Sequence, residues 1–184
     1  AAAGVNTTYM IKPDGSLWAV GSNTSGQLGL GLADSSQHPY PLQMGLGFVW
    51  RQVAAGSSFM HAIRADGTLW ACGLNSSSQL GDGTTVQRNV LVQIGTDSDW
   101  KFVVDGNNYT LAIKNNGTLW AWGSNNTSQL GDGTAILRSS PVQIGTETNW
   151  LTVCAANNSS GFCAALKTDG TLWTWGNNAN GQLG

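Results

Sequence analysis

Apolar residues in this chain occur in short runs, separated by polar segments rich in glycine, asparagine, aspartate and serine. Two such runs, residues 110–114 and 118–122, flank the triplet Asn115-Asn116-Gly117. Short runs rich in β-branched and aromatic residues, on either side of Asn-Gly, predict the two strands of a hairpin. The sequence contains no stretch with apolar residues spaced three and four apart over a helical length. The pattern therefore predicts an all-β fold.

The predicted hairpin recurs with the phrase Asp/Asn-Gly-Ser/Thr-Leu-Trp, whose final residues are Trp18, Trp70, Trp120 and Trp173. These tryptophans are 52, 50 and 53 residues apart. A second phrase, Gln-Leu-Gly, follows each of them and begins at Gln27, Gln79, Gln129 and Gln182. Further tryptophans stand near the start of the next units, at Trp50, Trp100 and Trp150. Four short antiparallel strands per unit, named A to D, predict the blades of a β-propeller.

The repeated phrase, Asp-Gly-Thr-Leu-Trp-x-Trp-Gly-x-Asn-x-x-x-Gln-Leu-Gly, resembles the repeat of the regulator of chromosome condensation family. The resemblance covers essentially the whole chain and implies a seven-bladed propeller when the array is complete. The family usually has histidine eleven positions before the Leu-Trp tryptophan. This chain departs from that pattern and has Thr7, Phe59, Tyr109 and Phe162 there.

The repeat boundaries predict one partial propeller over residues 1–184, with about 3.6 blades in units 1–52, 53–102, 103–152 and 153–184. The last unit stops before its outer strand. Seven blades need about 350 residues, so we expect the array to be incomplete within this chain. The alternatives are a fragment, a half that pairs with another copy, and a subunit that adds to itself, because open blade ends favour association.

Charged residues make up 10% of the chain, and the net charge is −2. Lysine and arginine form no cluster, which argues against a nucleic-acid partner. No apolar run is long enough to span a membrane. The two histidines have no partners at metal-ligand spacing, and no P-loop is complete. We therefore expect no enzyme activity, no catalytic residue, no metal and no cofactor.

The cysteines of the fourth repeat lie on its predicted first two strands, in a unit with three extra residues between strand A and the Leu-Trp phrase. We hypothesise a Cys154–Cys163 disulfide at the base of this longer loop, provided that the two Cα atoms lie within about 7 Å. Cys72 takes a strand-C position that is filled by tryptophan in later repeats, which predicts a buried free thiol.

Asn-x-Ser/Thr triplets recur at equivalent places of the repeat. The A–B loops carry Asn6, Asn108 and Asn158, and the C–D loops carry Asn23, Asn75 and Asn125. In a meander these two loops emerge at the same end of a blade, so the six triplets predict a face of N-glycan acceptors. The alternative is that the C–D turns need asparagine for backbone reasons. Another triplet, at Asn116, lies at the opposite end in the tight hairpin.

The A–B loops also precede Phe59, Tyr109 and Phe162. These aromatic residues either fill the core beneath the blade rim or form binding anchors on the loop face. We take the second interpretation as the candidate binding site. The primary functional hypothesis is a non-enzymatic, extracellular or secreted scaffold that binds a protein partner. The alternative is a self-assembling subunit, a ring or filament coated with N-linked glycans, and guanine-nucleotide exchange is a remote third.

Overall fold

The computed structural model describes residues 1–34, 36–158 and 161–184. In these residues all regular secondary structure is β-strand. They are β1 (Ala2–Ala3), β2 (Thr7–Ile11), β3 (Leu17–Ser22), β4 (Gln37–Met44), β5 (Trp50–Ala55), β6 (Phe59–Arg64), β7 (Leu69–Gly73), β8 (Arg88–Gln93), β9 (Trp100–Asp105), β10 (Tyr109–Lys114), β11 (Leu119–Gly123), β12 (Arg138–Ile144), β13 (Trp150–Ala155), β14 (Phe162–Lys167) and β15 (Leu172–Gly176). The predicted all-β class is confirmed.

The strands form four antiparallel sheets, each an up-and-down meander in chain order. We call them blade 1 (β1–β4), blade 2 (β5–β8), blade 3 (β9–β12) and blade 4 (β13–β15). Within the described residues, blade 4 has three strands and each of the others has four. The predicted partial array of propeller blades is therefore confirmed. The first strands of all four blades line one open cleft, so they are the innermost strands.

Each of blades 2 to 4 begins at a tryptophan, three residues before the predicted repeat boundary. Trp50 pairs with Arg64 in blade 2, and its backbone N–H donates to the Gly15 carbonyl in the hairpin of blade 1. Trp100 and Trp150 make the same backbone bond to Gly67 and Gly117. The tryptophan thus starts a new sheet and ties it to the previous blade.

The buried core lies between the blades. In the cluster that joins blades 2 and 3, Ile63 and Leu80 pack with Trp100 and Trp122. Polar groups are satisfied across the same boundary. The indole N–H of Trp122 donates to the Gln79 carbonyl at 2.9 Å, and that of Trp175 makes the same bond to the Gln129 carbonyl.

The predicted Cys154–Cys163 disulfide is wrong, because the two side chains point to opposite faces of blade 4. Cys154 pairs with Ala164 and Cys163 pairs with Ala155, so the cysteines are one register position apart on neighbouring strands. Cys154 is exposed, whereas Cys163 is buried and its thiol donates to the Gln129 carbonyl. Burial raises the pKa of the Cys163 thiol to about 12. Cys72 is a buried free thiol, as predicted.

Blades 2 and 3 are also joined by a fully buried polar pair, His61 and Asp105. Nδ1 of His61 lies 2.8 Å from Asp105 Oδ1, and Nε2 lies 3.2 Å from the Leu80 carbonyl. Thr110 donates a further hydrogen bond to Asp105 Oδ1. The sequence offered no signal for this pair, because its members are 44 residues apart and neither recurs in the other repeats, where tyrosine, leucine or alanine replaces the histidine and alanine replaces the aspartate.

The equivalent pair between blades 3 and 4 is Leu111 and Ala155, so the chain contains its own apolar control. We predict that His61→Leu lowers the free energy of unfolding by about 3–5 kcal/mol, because it leaves the Asp105 carboxylate buried without its partner. The double variant His61→Leu/Asp105→Ala should recover most of that loss. Urea titration of both variants measures the difference, and a double variant no more stable than His61→Leu would contradict a coupled pair.

Candidate binding face

The A–B and C–D loops meet at one end of every blade, which we call the loop face. A backbone N–H at the end of the third strand donates to a carbonyl of the A–B loop, as Ser22 does to Asn6 and Ser124 does to Asn108. In blade 4 the same bond joins Asn177 to Gly161. Gly161 is therefore the counterpart of Asn6 and Asn108. Asn158 lies three residues earlier, so its predicted equivalence is wrong.

The asparagines of the C–D loops use their amides inside the fold, which argues against a glycan on them. Asn23, Asn75 and Asn125 are buried. The Nδ2 of Asn75 donates to Asp82 Oδ1 and to the carbonyls of Thr84 and Val86, while its Oδ1 accepts the N–H of Leu80. A glycan on Nδ2 would leave that nitrogen a single N–H for these three acceptors, and the buried site has no exposed path for the sugar. The backbone interpretation of these three residues is therefore correct.

The A–B triplets have a different environment. Asn6 and Asn158 are exposed and Asn108 is half-buried. A side chain at the surface is compatible with a bulky glycan. Glycosylation at these three sites stays a prediction.

The predicted aromatic anchors do not form a ring on the loop face. Phe59 and Tyr109 are buried core residues, because each ring packs on a glycine of its own A–B loop. The Tyr109 hydroxyl also donates to the Phe162 carbonyl of blade 4 at 3.0 Å. Phe162 is half-buried. The spacing Gly-x-x-Phe or Gly-x-x-Tyr was the sequence signal for this packing, since glycine leaves room for a ring.

Several apolar side chains do reach solvent at this end, from Val5 in the A–B loop of blade 1 and from residues of the C–D loops. Val86 and Ile136 stand at equivalent places in blades 2 and 3 and are 57% and 61% exposed. Sequence reasoning missed them, because an isolated apolar residue in a polar loop has no periodicity. The asparagine pattern around Asn75 and Asn125 is the signal that could have located them.

Hydrogen bonds hold these loops in one conformation. In blade 3, Asp132 accepts from Asn125, Thr134 and Arg138, and Asn125 Nδ2 also donates to the Ile136 carbonyl. Blade 2 repeats the set with the corresponding residues. The N–H of Gly83 donates to the Ser139 carbonyl, which fixes the loop of blade 2 to the outer strand of blade 3. The loops are thus rigid supports for their exposed apolar tips.

The charges of the molecule are largely paired within it. The cations at the end of each second strand lie over tryptophan rings: Lys12 over Trp18, Arg64 over Trp70, Lys114 over Trp120 and Lys167 over Trp173. Arg88 and Arg138 form ion pairs with the C–D loop aspartates. Most of the eight basic side chains therefore already have an anionic or aromatic partner.

The described residues contain no group of three or more histidine, cysteine, aspartate or glutamate side chains that could hold a metal ion. In the same part of the chain, no helix is long and apolar enough to cross a membrane.

The Asp132 carboxyl makes the stability of the loop face depend on pH. Burial opposes its ionisation, but hydrogen bonds from Thr134 and Arg138 outweigh that effect and hold its pKa at about 2, below the usual 3.8. A carboxyl whose pKa is lower in the folded state stabilises the fold above its unfolded pKa, and this contribution disappears as the pH falls through the folded value.

We therefore predict that the chain loses stability between about pH 4 and pH 2, and that Asp132→Asn reduces this loss. The asparagine keeps the shape of the side chain but does not titrate. Thermal unfolding of both proteins across this range measures the effect. Identical acid dependence of the two proteins would contradict it.

Comparison with known proteins identifies the family to which these repeats belong. The model of the Regulator of chromosome condensation (RCC1) repeat matches residues 14–63, 66–113 and 116–163, which is more than half of the chain. A second model of the same repeat matches residues 50–79 and 157–182. The matches therefore extend from the first Asp-Gly hairpin into the Gln-Leu-Gly turn of blade 4.

Individual relatives match shorter segments. The secretion-regulating guanine nucleotide exchange factor of Bos taurus is 38% identical over 72 residues, which are 39% of this chain and 16% of that protein. The ultraviolet-B receptor UVR8 of Arabidopsis thaliana is 33% identical over 89 residues, which are 48% of this chain and 20% of that protein.

The crystal structure of human WBSCR16 superposes with a TM-score of 0.85 and 25% identity, over 99% of this chain and 48% of that one. The chain thus spans about half the length of that structure. The repeated phrase, the meander of each blade and the matches to the family model agree, and the chain belongs to the RCC1 repeat family.

Proposed function

We propose that this chain is a non-enzymatic, extracellular scaffold whose loop face binds a protein partner. The observation that carries the proposal is the pair of equivalent C–D loops that hold Val86 and Ile136 in solvent on a rigid support. Exposed apolar side chains at fixed positions are typical of surfaces that become buried in a complex.

The rigidity of the loops favours binding. A loop that is already held by hydrogen bonds loses little conformational entropy when a partner docks, so more of the interaction energy appears as affinity. In this chain the asparagine, aspartate and arginine side chains fix the loops of both blades 2 and 3.

The extracellular location rests on the remaining A–B triplets. Asn6, Asn108 and Asn158 keep a position at the loop face that is compatible with N-linked glycans. The relatives match this chain over only part of their own length, so their activities do not indicate whether this chain acts inside or outside the cell. Guanine-nucleotide exchange is named for one of them, and that match covers 16% of that protein. We do not extend exchange activity to this chain.

The binding proposal is tested by placing a photoreactive amino acid at position 86 or 136 and irradiating the protein in the fluid that surrounds its source cells. We expect one partner to be cross-linked from both positions. The matched control is position 90, because Val90 is also exposed but lies on the outer strand of blade 2.

The double variant Val86→Ser/Ile136→Ser should then bind the purified partner at least about tenfold more weakly, because each buried apolar side chain contributes about 1.5 kcal/mol or more. Its folding should be nearly unchanged, since surface substitutions alter stability by about 0.5 kcal/mol or less. Equal cross-linking from position 90, or unchanged affinity of the double variant, would refute binding through the loop tips.

A second candidate function is self-assembly, in which another copy of the chain covers the open face of blade 4. Leu172 is 69% exposed there, whereas its counterparts Leu17, Leu69 and Leu119 are buried under the next blade. Trp173 is also exposed. This face has the composition of the buried faces between blades, so a further blade of the same kind fits it, and a second copy of the chain is one source of such a blade. Rings or filaments follow from such head-to-tail contacts.

For this candidate we predict a mass of two or more chains by size-exclusion chromatography with light scattering. Leu172→Glu should reduce the mass to that of one chain, because a carboxylate on the face opposes its burial. The control is Leu46→Glu, since Leu46 is equally exposed but lies in the linker between blades 1 and 2. A single-chain mass for the unmodified protein at all concentrations would exclude the assembly.

A further inference from the structure

Asn116 differs from the C–D asparagines of the loop face in what the fold requires of its amide. We propose that Asn116 is the acceptor of an N-linked glycan, which would project from the hairpin end of blade 3, opposite the loop face. This inference rests on the proposed extracellular function, because the glycan is transferred in the secretory route. It adds a site at the end of the blades opposite to the one where the sequence predicts glycans.

The hairpin uses the oxygen of the Asn116 amide and leaves its nitrogen spare. Oδ1 accepts the Thr118 backbone N–H at 3.1 Å and the Thr118 hydroxyl at 2.7 Å. Asn116 is exposed, and no hydrogen bond among the described residues engages its Nδ2. A substituent on Nδ2 therefore removes no bond of the turn.

The other three repeats show that the turn itself does not use the second atom of this side chain, although Oδ2 of Asp66 forms an ion pair with Arg64 outside the turn. Asp14, Asp66 and Asp169 stand at the same place, and in each case Oδ1 alone accepts the N–H and hydroxyl of the residue two positions later. A carboxylate oxygen there replaces the amide nitrogen without changing the turn. The fold thus tolerates different chemistry at that atom in every blade.

The C–D asparagines are the contrasting case. Asn125 belongs to a triplet that also ends in threonine, but its Nδ2 is buried and donates to Asp132 Oδ1 and two backbone carbonyls. A chain glycosylated at Asn125 could not close the loop. A chain glycosylated at Asn116 before folding can still form its hairpin, so the tightness of the turn is no obstacle.

The transfer takes its sugar from an oligosaccharide linked to a lipid through pyrophosphate. The bond between the sugar C1 and the pyrophosphate oxygen breaks, and the lipid pyrophosphate leaves with the electron pair. A bond forms between C1 and Asn116 Nδ2, which loses one proton. The triplet Asn116-Gly-Thr118 supplies the sequence that the transferase needs.

The test is to secrete the full chain from a eukaryotic host and to map each triplet by peptide mass spectrometry, before and after peptide N-glycosidase. We expect a glycan on the Asn116 peptide and none on the Asn125 peptide. Asn116→Asp is the matched variant, because it installs the residue of the other repeats. It should migrate faster in electrophoresis by the amount that corresponds to one glycan. Its unfolding midpoint should equal that of the unmodified protein.

The outcomes distinguish a failure of the Asn116 assignment from a failure of the proposed function. A bare Asn116 in a secreted chain that carries glycans on Asn6 or Asn108 overturns the assignment of Asn116 and leaves the extracellular scaffold intact. A secreted chain without any glycan overturns the site and the glycan argument for location, while the cross-linking test of the loop face stands independently. Glycan on Asn125 in folded protein would refute the accessibility argument itself.

Discussion

The dependence of each blade on its neighbour is the constraint from which the rest of this structure follows. The Gln-Leu-Gly turn places its leucine in the core and turns the glutamine carbonyl toward the next blade, where an indole or thiol donates to it. The glycine of the turn also lies against the next blade. A Cβ on Gly81 would lie 2.7 Å from Nε1 of Trp122, and the backbone there has a positive φ. Contacts to the next blade therefore determine which residues fit in the Gln-Leu-Gly turn.

The fold was predictable because its signals are local and recur four times. The Asp-Gly hairpins, the strand lengths and the period near 50 residues specify the meander before any long-range contact is known. Contacts across blades were harder to predict. His61 and Asp105 are joined through space by the stacking of two sheets, and no pattern in the chain connects them.

The candidate site was predictable only in part, for a physical reason that the asparagines illustrate. The triplet pattern correctly marked where the loops lie, but it carries no information about which atom of the amide the fold uses. Asn75 gives both its oxygen and its nitrogen to its loop, whereas Asn116 gives only its oxygen. The same limit applies to Phe59 and Tyr109, since an aromatic residue next to a loop has the same sequence signature whether it points in or out.

The longer A–B loop of blade 4 shows that the length of a loop can change while the register of the strands that it joins stays the same. The last pair before the loop is Ala155 with Cys163, eight positions apart, whereas the equivalent pairs Ala55 with Met60 and Asp105 with Thr110 are five apart. The strands pair in the same register in all three blades. Segments of new sequence can thus enter at this point without disturbing the core, which makes the loop a natural place for evolutionary diversification and for grafting foreign peptides.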